Sequence, residues 1–198
     1  MSRVFSLKVD PEKPYSDAGE DRWILKQFPD GYVGKAVELG ALDGRYLSNT
    51  LLLEERGWDC LCIEPNPRHY AALTKNRKRV LRCACASEPA VSQGLTEDRT
   101  AIGFTKSSLG AGPVTVTVLT LDQCLILSGF QTLDVLSLDT DGSDMDILAG
   151  FTVLAWSPKA MILETNGKTG PVHEWALANG YRCAARIGND GCYLREGS

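Results

Sequence analysis

The sequence lacks the features of several large classes of protein. No apolar run approaches the roughly 20 residues that a membrane-spanning helix needs, and residues 1–6 carry no apolar core of signal-peptide length. A net charge of -4 and a pI near 5.3 argue against a strongly basic nucleic-acid-binding protein. There is also no N-P-P-Y motif of the base-flipping type. We therefore expect a cytoplasmic protein with neither a membrane nor a nucleic-acid partner.

Length and composition predict one globular domain over residues 1–198. Of the 198 residues, 43% are hydrophobic and 23% are charged, which is sufficient for one sizeable core. No internal repeat or linker is visible. Residues 1–30 are predicted to form an arm and a helix. Residues 87–113 are rich in glycine and polar side chains and are predicted to form an irregular substrate loop.

The seven cysteines include two C-x-C pairs in predicted strands, Cys60 with Cys62 and Cys83 with Cys85. Alternate residues of a strand face the same side, so one interpretation is a metal site. The other is that these small side chains are buried in a sheet. We favour the second because zinc ribbons use C-x-x-C turns, and it implies a reducing compartment.

Apolar runs that alternate with segments of helical periodicity predict an α/β fold. Strands are expected over residues 32–39, 58–63, 80–86, 114–119, 133–139 and 159–165. Helices are expected over residues 45–56 and 120–127, from residue 67, from residue 143 and over residues 171–179. Residues 188–190 indicate an antiparallel hairpin at the end of the chain. We interpret the basic run at residues 75–79 as solvated cations at a helix end, and Ser143 with Asp146 as a capping box.

A strand that ends in a glycine turn and leads into a helix can hold a nucleotide-like ligand. Here the turn spans residues 40–44, with Glu38 before it and Asp43 inside it. The third glycine of the dinucleotide-binding G-x-G-x-x-G turn is missing, which argues against the alternative of a nucleotide-dependent oxidoreductase. Two carboxylates would repel a pyrophosphate but suit an amine or a sulfonium. The turn therefore indicates S-adenosylmethionine.

Acidic residues end four of the predicted strands. They are Glu38, Glu64, Asp139 and Glu164. Because the carboxyl ends of parallel strands meet at one edge of a sheet, we expect these carboxylates to converge there. Glu64 follows Gly40 by about two dozen residues, where nucleotide-binding folds place the acid that accepts ribose hydroxyls.

Oxygen-bearing side chains at the same strand ends also make a divalent cation possible. The candidate ligands are Asp139, Asp141, Glu164 and Asn166, because Mg²⁺ and Ca²⁺ prefer oxygen donors. The run is not an EF-hand loop, since its sixth position is Asp144 and not glycine. The four side chains form a plausible but unordered ligand set, so a cation is not favoured and we assign no metal ligand.

Together these segments resemble the FkbM-type S-adenosylmethionine-dependent methyltransferases. The similarity covers most of the chain and includes Y-S-D-A-G-E-D at 15–21, V-E-L-G-A-L-D-G at 37–44, S-N-T at 48–50, G-W at 57–58, C-I-E-P-N-P at 62–67, L-D-V-L-S-L-D-T-D-G-S at 133–143, I-L-A-G at 147–150 and L-E at 163–164. Asp17 stands where the family usually has Gln, and Asp141 replaces the usual Glu of D-x-E-G. Residues 87–113 match poorly, which leaves the substrate open.

The resemblance implies a Rossmann-like class I fold with a mostly parallel seven-stranded sheet, and methyl transfer to a hydroxyl of a small molecule or sugar. The implied cofactor site comprises Glu38, Gly40, Ala41, Asp43, Gly44, Ser48, Asn49, Thr50, Glu64, Pro65, Cys85, Ala86 and Asp139. On this basis residues 40–44 hold the methionine end, Glu64 holds the ribose and residues 85–87 border the adenine.

The predicted catalytic residues are Asp139, Asp141 and Glu164, with His173 as a further candidate base. The alternative to catalysis is a catalytically silent domain that keeps the cofactor fold for interaction. The oligomeric state stays open.

Overall fold

The computed structural model describes residues 14–99, 105–110, 112–166 and 169–197, so most of the expected N-terminal arm lies outside the described residues. The helices are α1 Glu20–Leu25, α2 Leu51–Glu55, α3 Pro67–Asn76, α4 Leu121–Leu127, α5 Asp144–Ala149, α6 Val153–Trp156 and α7 Pro171–Ala178. The strands are β1 Lys35–Leu39, β2 Asp59–Ile63, β3 Arg79–Leu81, β4 Ala84–Cys85, β5 Ala90–Arg99, β6 Thr105–Gly110, β7 Val114–Leu119, β8 Val135–Leu138, β9 Ala160–Glu164, β10 Tyr181–Ile187 and β11 Asp190–Arg195.

Seven strands form the main sheet in the order β10-β11-β9-β8-β1-β2-β3. The five strands from β9 to β3 are parallel neighbours, while β10 and β11 are antiparallel. Val37 and Leu39 of β1 pack in one hydrophobic core, whereas Ala36, directly before Val37, packs in another. Alternate residues of β1 thus bury both faces of the sheet, as parallel strands covered on both sides require. The predicted α/β class, with its closing hairpin, is confirmed.

The described residues between 87 and 113 are more regular than the sequence predicts. Strands β5 and β6 form an antiparallel hairpin, and β5 also pairs with β7. Two of the glycines reflect close packing: a Cβ atom on Gly94 would lie 2.5 Å from the carbonyl oxygen of Gly110, and one on Gly112 would lie 1.7 Å from that of Leu95. The single strand predicted over residues 80–86 is in fact divided, with β3 in the main sheet and β4 in a second sheet of order β4-β7-β5-β6.

Helix boundaries show where local sequence signals succeed and where they fail. Asn66 and Thr120 cap α3 and α4 through their side chains, as predicted. The capping box at Ser143 is wrong, because Ser143 makes no side-chain capping bond. Instead, the Asp144 carboxylate accepts hydrogen bonds from the backbone N–H and hydroxyl of Thr140. None of the helices within the described ranges is long and apolar enough to cross a membrane.

Candidate active site

Pairing within the main sheet brings four strand ends into one row. Leu39 is the partner of both Ile63 and Leu138, and Leu138 is the partner of Leu163. The next residues along the four strands are Gly40, Glu64, Asp139 and Glu164. Strand order reverses at β1, which has β2 on one side and β8 on the other. Open α/β sheets bind ligands outside the carboxyl ends of their strands at such a point.

Asp190 extends this row beyond β9. It pairs directly with Glu164 across the antiparallel strands β9 and β11. Sequence reasoning missed Asp190 as a site residue, because its hairpin position identifies a turn and not a neighbour of β9. We use the term acid row for Asp139, Glu164 and Asp190.

Glu38 does not join the acid row. Its side chain is buried and accepts hydrogen bonds from the Ser48 hydroxyl at 2.8 Å and the Thr50 hydroxyl at 2.6 Å. The backbone N–H of Asn49 donates to its other oxygen at 2.7 Å. These bonds fix residues 48–50 in a turn, which explains why α2 begins at Leu51 and not near residue 45. The four predicted cofactor contacts at positions 38 and 48–50 thus bind one another.

A buried guanidinium completes this network. Arg77 is 5% exposed, and its Nη1 and Nε atoms lie 3.2 Å from Glu38 Oε2 and 3.1 Å from Glu54 Oε2. The interpretation of residues 75–79 as solvated cations is therefore wrong for Arg77. One sequence signal does indicate a buried cation such as Arg77. Hydroxyl and acidic residues are concentrated around positions 48–54, and carboxylates that become buried need a cationic partner. We call Arg77, Glu38 and Glu54 the Arg77 cluster.

The glycine turn packs between the acid row and the Arg77 cluster. Gly40 has φ +76°, and a Cβ atom there would lie 1.9 Å from the carbonyl oxygen of Asp139. At Gly44, with φ +79°, a Cβ atom would lie 2.5 Å from Arg77 Cγ. Asp43 accepts hydrogen bonds from the backbone of Arg45 and Tyr46. Both glycines are therefore required by close packing, and Asp43 stabilises its own turn.

Glu64 joins the glycine turn to the end of β2. Its Oε2 accepts the backbone N–H of Leu42 at 2.9 Å, and its Oε1 accepts that of Asn66 at 2.8 Å. Just after β1, the backbone N–H groups of Gly40 and Ala41 donate to the carbonyl oxygen of Ile63. The carboxylate is buried, and the Nδ1 atom of His69 lies 3.8 Å from its Oε1. A carboxylate has about four acceptor positions, so Glu64 keeps capacity for at most two further donors. Pro65 follows it directly in the sequence.

The predicted adenine border is only partly available to a ligand. The Cys85 thiol faces the core, with its sulfur 3.6 Å from the Cys124 sulfur. The Ser87 hydroxyl donates to Asp146 Oδ1 at 2.6 Å, which anchors the segment to α5. Contact with an adenine would therefore come from Ala86 and from the backbone around it.

Like charges and burial alter the acidity of the acid row. Burial of the carboxyl group, followed by the charges of Glu164 and Asp190, raises the pKa of Asp139 to about 8. The residue as a whole keeps an exposed surface, so a ligand can reach it. Burial and then the charges of Glu20 and Glu164 raise the pKa of Asp190 to about 7. Within the described part of the chain, no three side chains from Asp, Glu and His bring ligand atoms within 4.8 Å of one another.

An open cleft lies beside the acid row. Its volume is about 420 Å³, within the range of small-molecule sites. It is lined by Asp141, Gly142, Asp144, Met145, Glu164, Thr165, Asn166, Gly170, Pro171, Val172 and His173. His173 Nδ1 lies 3.0 Å from the hydroxyl of Tyr193, which is buried and holds the imidazole in place.

Backbone strain is concentrated around the same edge. Leu42, Asp141 and Asn166 have φ values of +48°, +59° and +50°, and they lie in the loops that follow β1, β8 and β9. Non-glycine residues rarely adopt this conformation, although Asp and Asn do so more readily than Leu. The strain is therefore clearest at Leu42, and such strain is common at binding and catalytic sites. It supports the assignment of this edge as the functional one.

Comparisons with known proteins identify a family and a fold. The model of the methyltransferase FkbM domain matches residues 38–183. A search of curated proteins found no match. Among solved structures, a methyltransferase FkbM from Methylobacillus flagellatus KT has 16% sequence identity and a TM-score of 0.53, with 92% of this chain and 48% of that chain covered. The present chain thus spans about half the length of that protein, and at this identity the likeness shows the fold.

Two further solved structures are similar at lower TM-scores. The glycopeptide N-methyltransferase MtfA, complexed with S-adenosyl-L-methionine, has 16% identity and a TM-score of 0.39, with 94% of this chain and 71% of that chain covered. The small RNA methyltransferase HEN1 has 13% identity and a TM-score of 0.38, with 91% of this chain and 25% of that chain covered.

The family match spans the elements that form the candidate site. It begins at Glu38, includes the glycine turn, Glu64, Asp139 and Glu164, and ends in β10. The predicted family is therefore confirmed: the chain belongs to the methyltransferase FkbM domain family.

Proposed function

We propose that the protein transfers a methyl group from S-adenosylmethionine to a hydroxyl of a small molecule or sugar. The observation that supports this most directly is the acid row, which lies between the glycine turn and the open cleft. A cofactor bound over the turn would face an acceptor in the cleft across Asp139. The alternative of a nucleotide-dependent oxidoreductase is not favoured, because the turn lacks the third glycine and the family is one of methyltransferases.

The cofactor side of the proposal rests on the glycine turn and Glu64. The free acceptor capacity of the Glu64 carboxylate fits two ribose hydroxyls, and Ala86 would border the adenine. The turn at residues 40–44 would hold the methionine end. The hydrogen bonds between Glu38 and residues 48–50 would keep this turn in position. The cofactor would supply the methyl group and a positive charge.

That positive charge complements Asp139. The pKa of Asp139 is raised to about 8, so much of this group is protonated at neutral pH in the ligand-free protein. An adjacent cation favours the carboxylate form, and binding would release a proton. Asp139 would thus attract the cofactor and orient its reactive group, which is the main requirement of an in-line displacement.

The acceptor side of the proposal is the cleft. Transfer to a hydroxyl forms a carbon–oxygen bond and needs a base for the hydroxyl proton. Asp141, Glu164 and His173 line the cleft, and we propose that the base is one of these three. His173 has the advantage of a ring held by Tyr193, and histidine is the side chain that most often transfers protons in catalysis. A bound divalent cation is not part of the proposal.

The proposed setting is a reducing, cytoplasmic compartment without a membrane or nucleic-acid partner. All seven cysteines lie within the described ranges and are free thiols, which fits such a compartment. The net charge of -4 does not favour a nucleic-acid substrate.

Calorimetry and isotope transfer test the function together. S-adenosylhomocysteine and NAD are titrated into the protein, and methyl-labelled S-adenosylmethionine is then offered with sugars, other hydroxyl compounds and amines. We expect binding of S-adenosylhomocysteine, no binding of NAD, and label in an ether product. Cofactor binding without transfer to any acceptor would favour the silent domain. Label on nitrogen alone would contradict the hydroxyl assignment.

A further inference from the structure

Three thiols from distant parts of the sequence converge in the core. Cys83 lies between β3 and β4, Cys85 lies in β4 and Cys124 lies in α4. The Cys124 sulfur is 3.5 Å from the Cys83 sulfur and 3.6 Å from the Cys85 sulfur, and all three sulfurs lie within 4.8 Å of one another. Their exposed fractions are 1%, 6% and 0%. We call this group the thiol triad.

The backbone around the thiol triad keeps the three sulfurs together. Cys83 and Cys85 belong to one hydrophobic core, whereas Ala84 between them belongs to the core of the second sheet. The C-x-C spacing therefore places both sulfurs on one side of the chain. Strand β4 pairs with β7, and α4 begins directly after β7 with a capping box formed by Thr120 and Gln123. Cys124 is thus fixed opposite the pair.

The second C-x-C pair provides an internal comparison. Cys60 and Cys62 are equally buried, but their sulfurs contact the Thr50 carbonyl oxygen at 3.7 Å and Glu38 Oε2 at 4.0 Å. No third thiol within the described residues joins this pair. Burial of small side chains accounts for Cys60 and Cys62. It does not account for three sulfurs that meet at one point.

We propose that Cys83, Cys85 and Cys124 bind a single Cu(I) ion through three thiolate sulfurs. Sulfurs at about 2.3 Å from a common metal ion lie roughly 4 Å apart, close to the separations in the triad. Soft thiolate ligands select Cu(I), Zn²⁺ and iron–sulfur clusters. Structural Zn²⁺ takes four ligands, and no fourth Cys, His or carboxylate joins the triad within the described part of the chain.

Binding would replace the thiol protons with three sulfur–copper bonds and release those protons. Neither the sulfurs nor the copper changes oxidation state. The ion would link β4 to α4, and its ligand Cys85 directly precedes Ala86. The site does not depend on the proposed methyl transfer, because its ligands are sulfurs that face the core.

A competition titration tests the proposal. Reduced, metal-free protein is titrated without oxygen with Cu(I) in the presence of bicinchoninate, a chromogenic Cu(I) chelator. We expect the wild type to keep one equivalent of copper from the chelator. Cys124→Ser should bind copper at least about tenfold more weakly than the wild type does. Cys192→Ala is the matched control, because Cys192 is also a buried free thiol but belongs to another core. It should bind copper as the wild type does.

A measurement on the wild type alone separates metal binding from effects on folding. X-ray absorption at the copper edge should show a shell of three sulfurs with no nitrogen or oxygen. Copper should also raise the melting temperature of the wild type and of Cys192→Ala. Failure to withhold copper, a shell of nitrogen or oxygen, or equal affinity in Cys124→Ser would each overturn the proposal. Tighter retention of Zn²⁺ than of Cu(I), with a fourth ligand, would overturn the choice of ion.

Discussion

The Arg77 cluster and the acid row lie on two sides of the same glycine turn, but their charges are balanced differently. In the cluster, one buried guanidinium binds Glu38 and Glu54. In the acid row, other carboxylates raise the pKa of Asp139 and Asp190 beyond the effect of burial. The comparison teaches that an acid at a strand end is structural when a buried cation binds it. It is a candidate for binding or catalysis when its neighbours are acids and a cleft is open beside it.

Removal of the buried cation should have the largest effect. Arg77→Met leaves Glu38 and Glu54 buried without their partner, which costs about 3–5 kcal/mol of unfolding free energy. The matched control is Arg79→Met, because the Arg79–Asp59 pair is 42% and 39% exposed. An exposed pair contributes about 1 kcal/mol or less, and the hydrogen bond from Arg79 to the Ser128 carbonyl oxygen adds about 1 kcal/mol. Urea unfolding measures both. Similar losses in the two variants would remove the distinction between the cluster and an ordinary surface pair.

The contact between the glycine turn and the acid row should rank second. Gly40→Ala adds a Cβ atom 1.9 Å from the Asp139 carbonyl oxygen, whereas Gly31→Ala meets nothing within 4 Å at nearly the same φ of +78°. We expect about 1–2 kcal/mol of conformational cost in both variants and about 1–3 kcal/mol more for Gly40→Ala from overpacking. Urea unfolding measures the difference. Equal costs would show that the turn and β8 are not in close contact.

The cofactor role proposed for Glu64 gives an intermediate effect. Glu64→Ala removes a charged acceptor, and S-adenosylhomocysteine should bind about 1–3 kcal/mol more weakly by calorimetry. Glu88→Ala is the control for net charge, because Glu88 is exposed and lies outside the proposed cofactor contacts. Equal affinity in Glu64→Ala and Glu88→Ala would refute the ribose assignment.

The pH dependence of Asp139 should give the smallest effect on stability, because the residue is exposed in the folded protein and solvent screens its interactions with neighbouring charges. The pKa of this group is about 8 in the folded protein, against an ordinary value of 3.8. Between these values the unfolded chain has released a proton that the folded chain keeps, so stability falls as pH rises and the loss is complete above about pH 8. Asp139→Asn should therefore raise the melting temperature at pH 8.5 and change it little at pH 4.

Asp190→Asn sharpens this prediction. The pKa of Asp190 is about 7 in the folded protein, so the gain in melting temperature should reach its full size at a lower pH than in Asp139→Asn.

Cofactor binding should depend on pH with the opposite sign. S-adenosylmethionine should bind the wild type more tightly as pH rises from about 6 to 9, since the carboxylate form of Asp139 attracts the sulfonium. A flat affinity profile would argue against contact between Asp139 and the cofactor.

Local sequence patterns predicted the main sheet well, for physical reasons that particular residues illustrate. Asn66 and Thr120 act through neighbouring backbone groups, so short segments are enough to identify them. The row of strand ends follows from apolar runs of similar length that each stop at a polar residue. Glu64, Asp139 and Glu164 were found in this way.

Features that depend on distant partners could not be predicted in the same way. Arg77 is distant in sequence from Glu38, and its run of basic neighbours resembles a solvated helix end. Asp190 joins the acid row only through pairing between β9 and β11. Cys124 meets the C-x-C pair across the core. In each case the partner is set by the packing of whole elements and leaves no periodic signal.

The shared register of β1, β2, β8 and β9 also limits how chain length can vary. One residue added within any of these strands would advance the acid or glycine that follows by about 3.3 Å and turn its side chain to the opposite face. Insertions and deletions are therefore tolerated only beyond the row, as in the loops and in the β5–β6 hairpin. A redesign for a new acceptor should vary the loops that line the cleft and keep the lengths of the four strands.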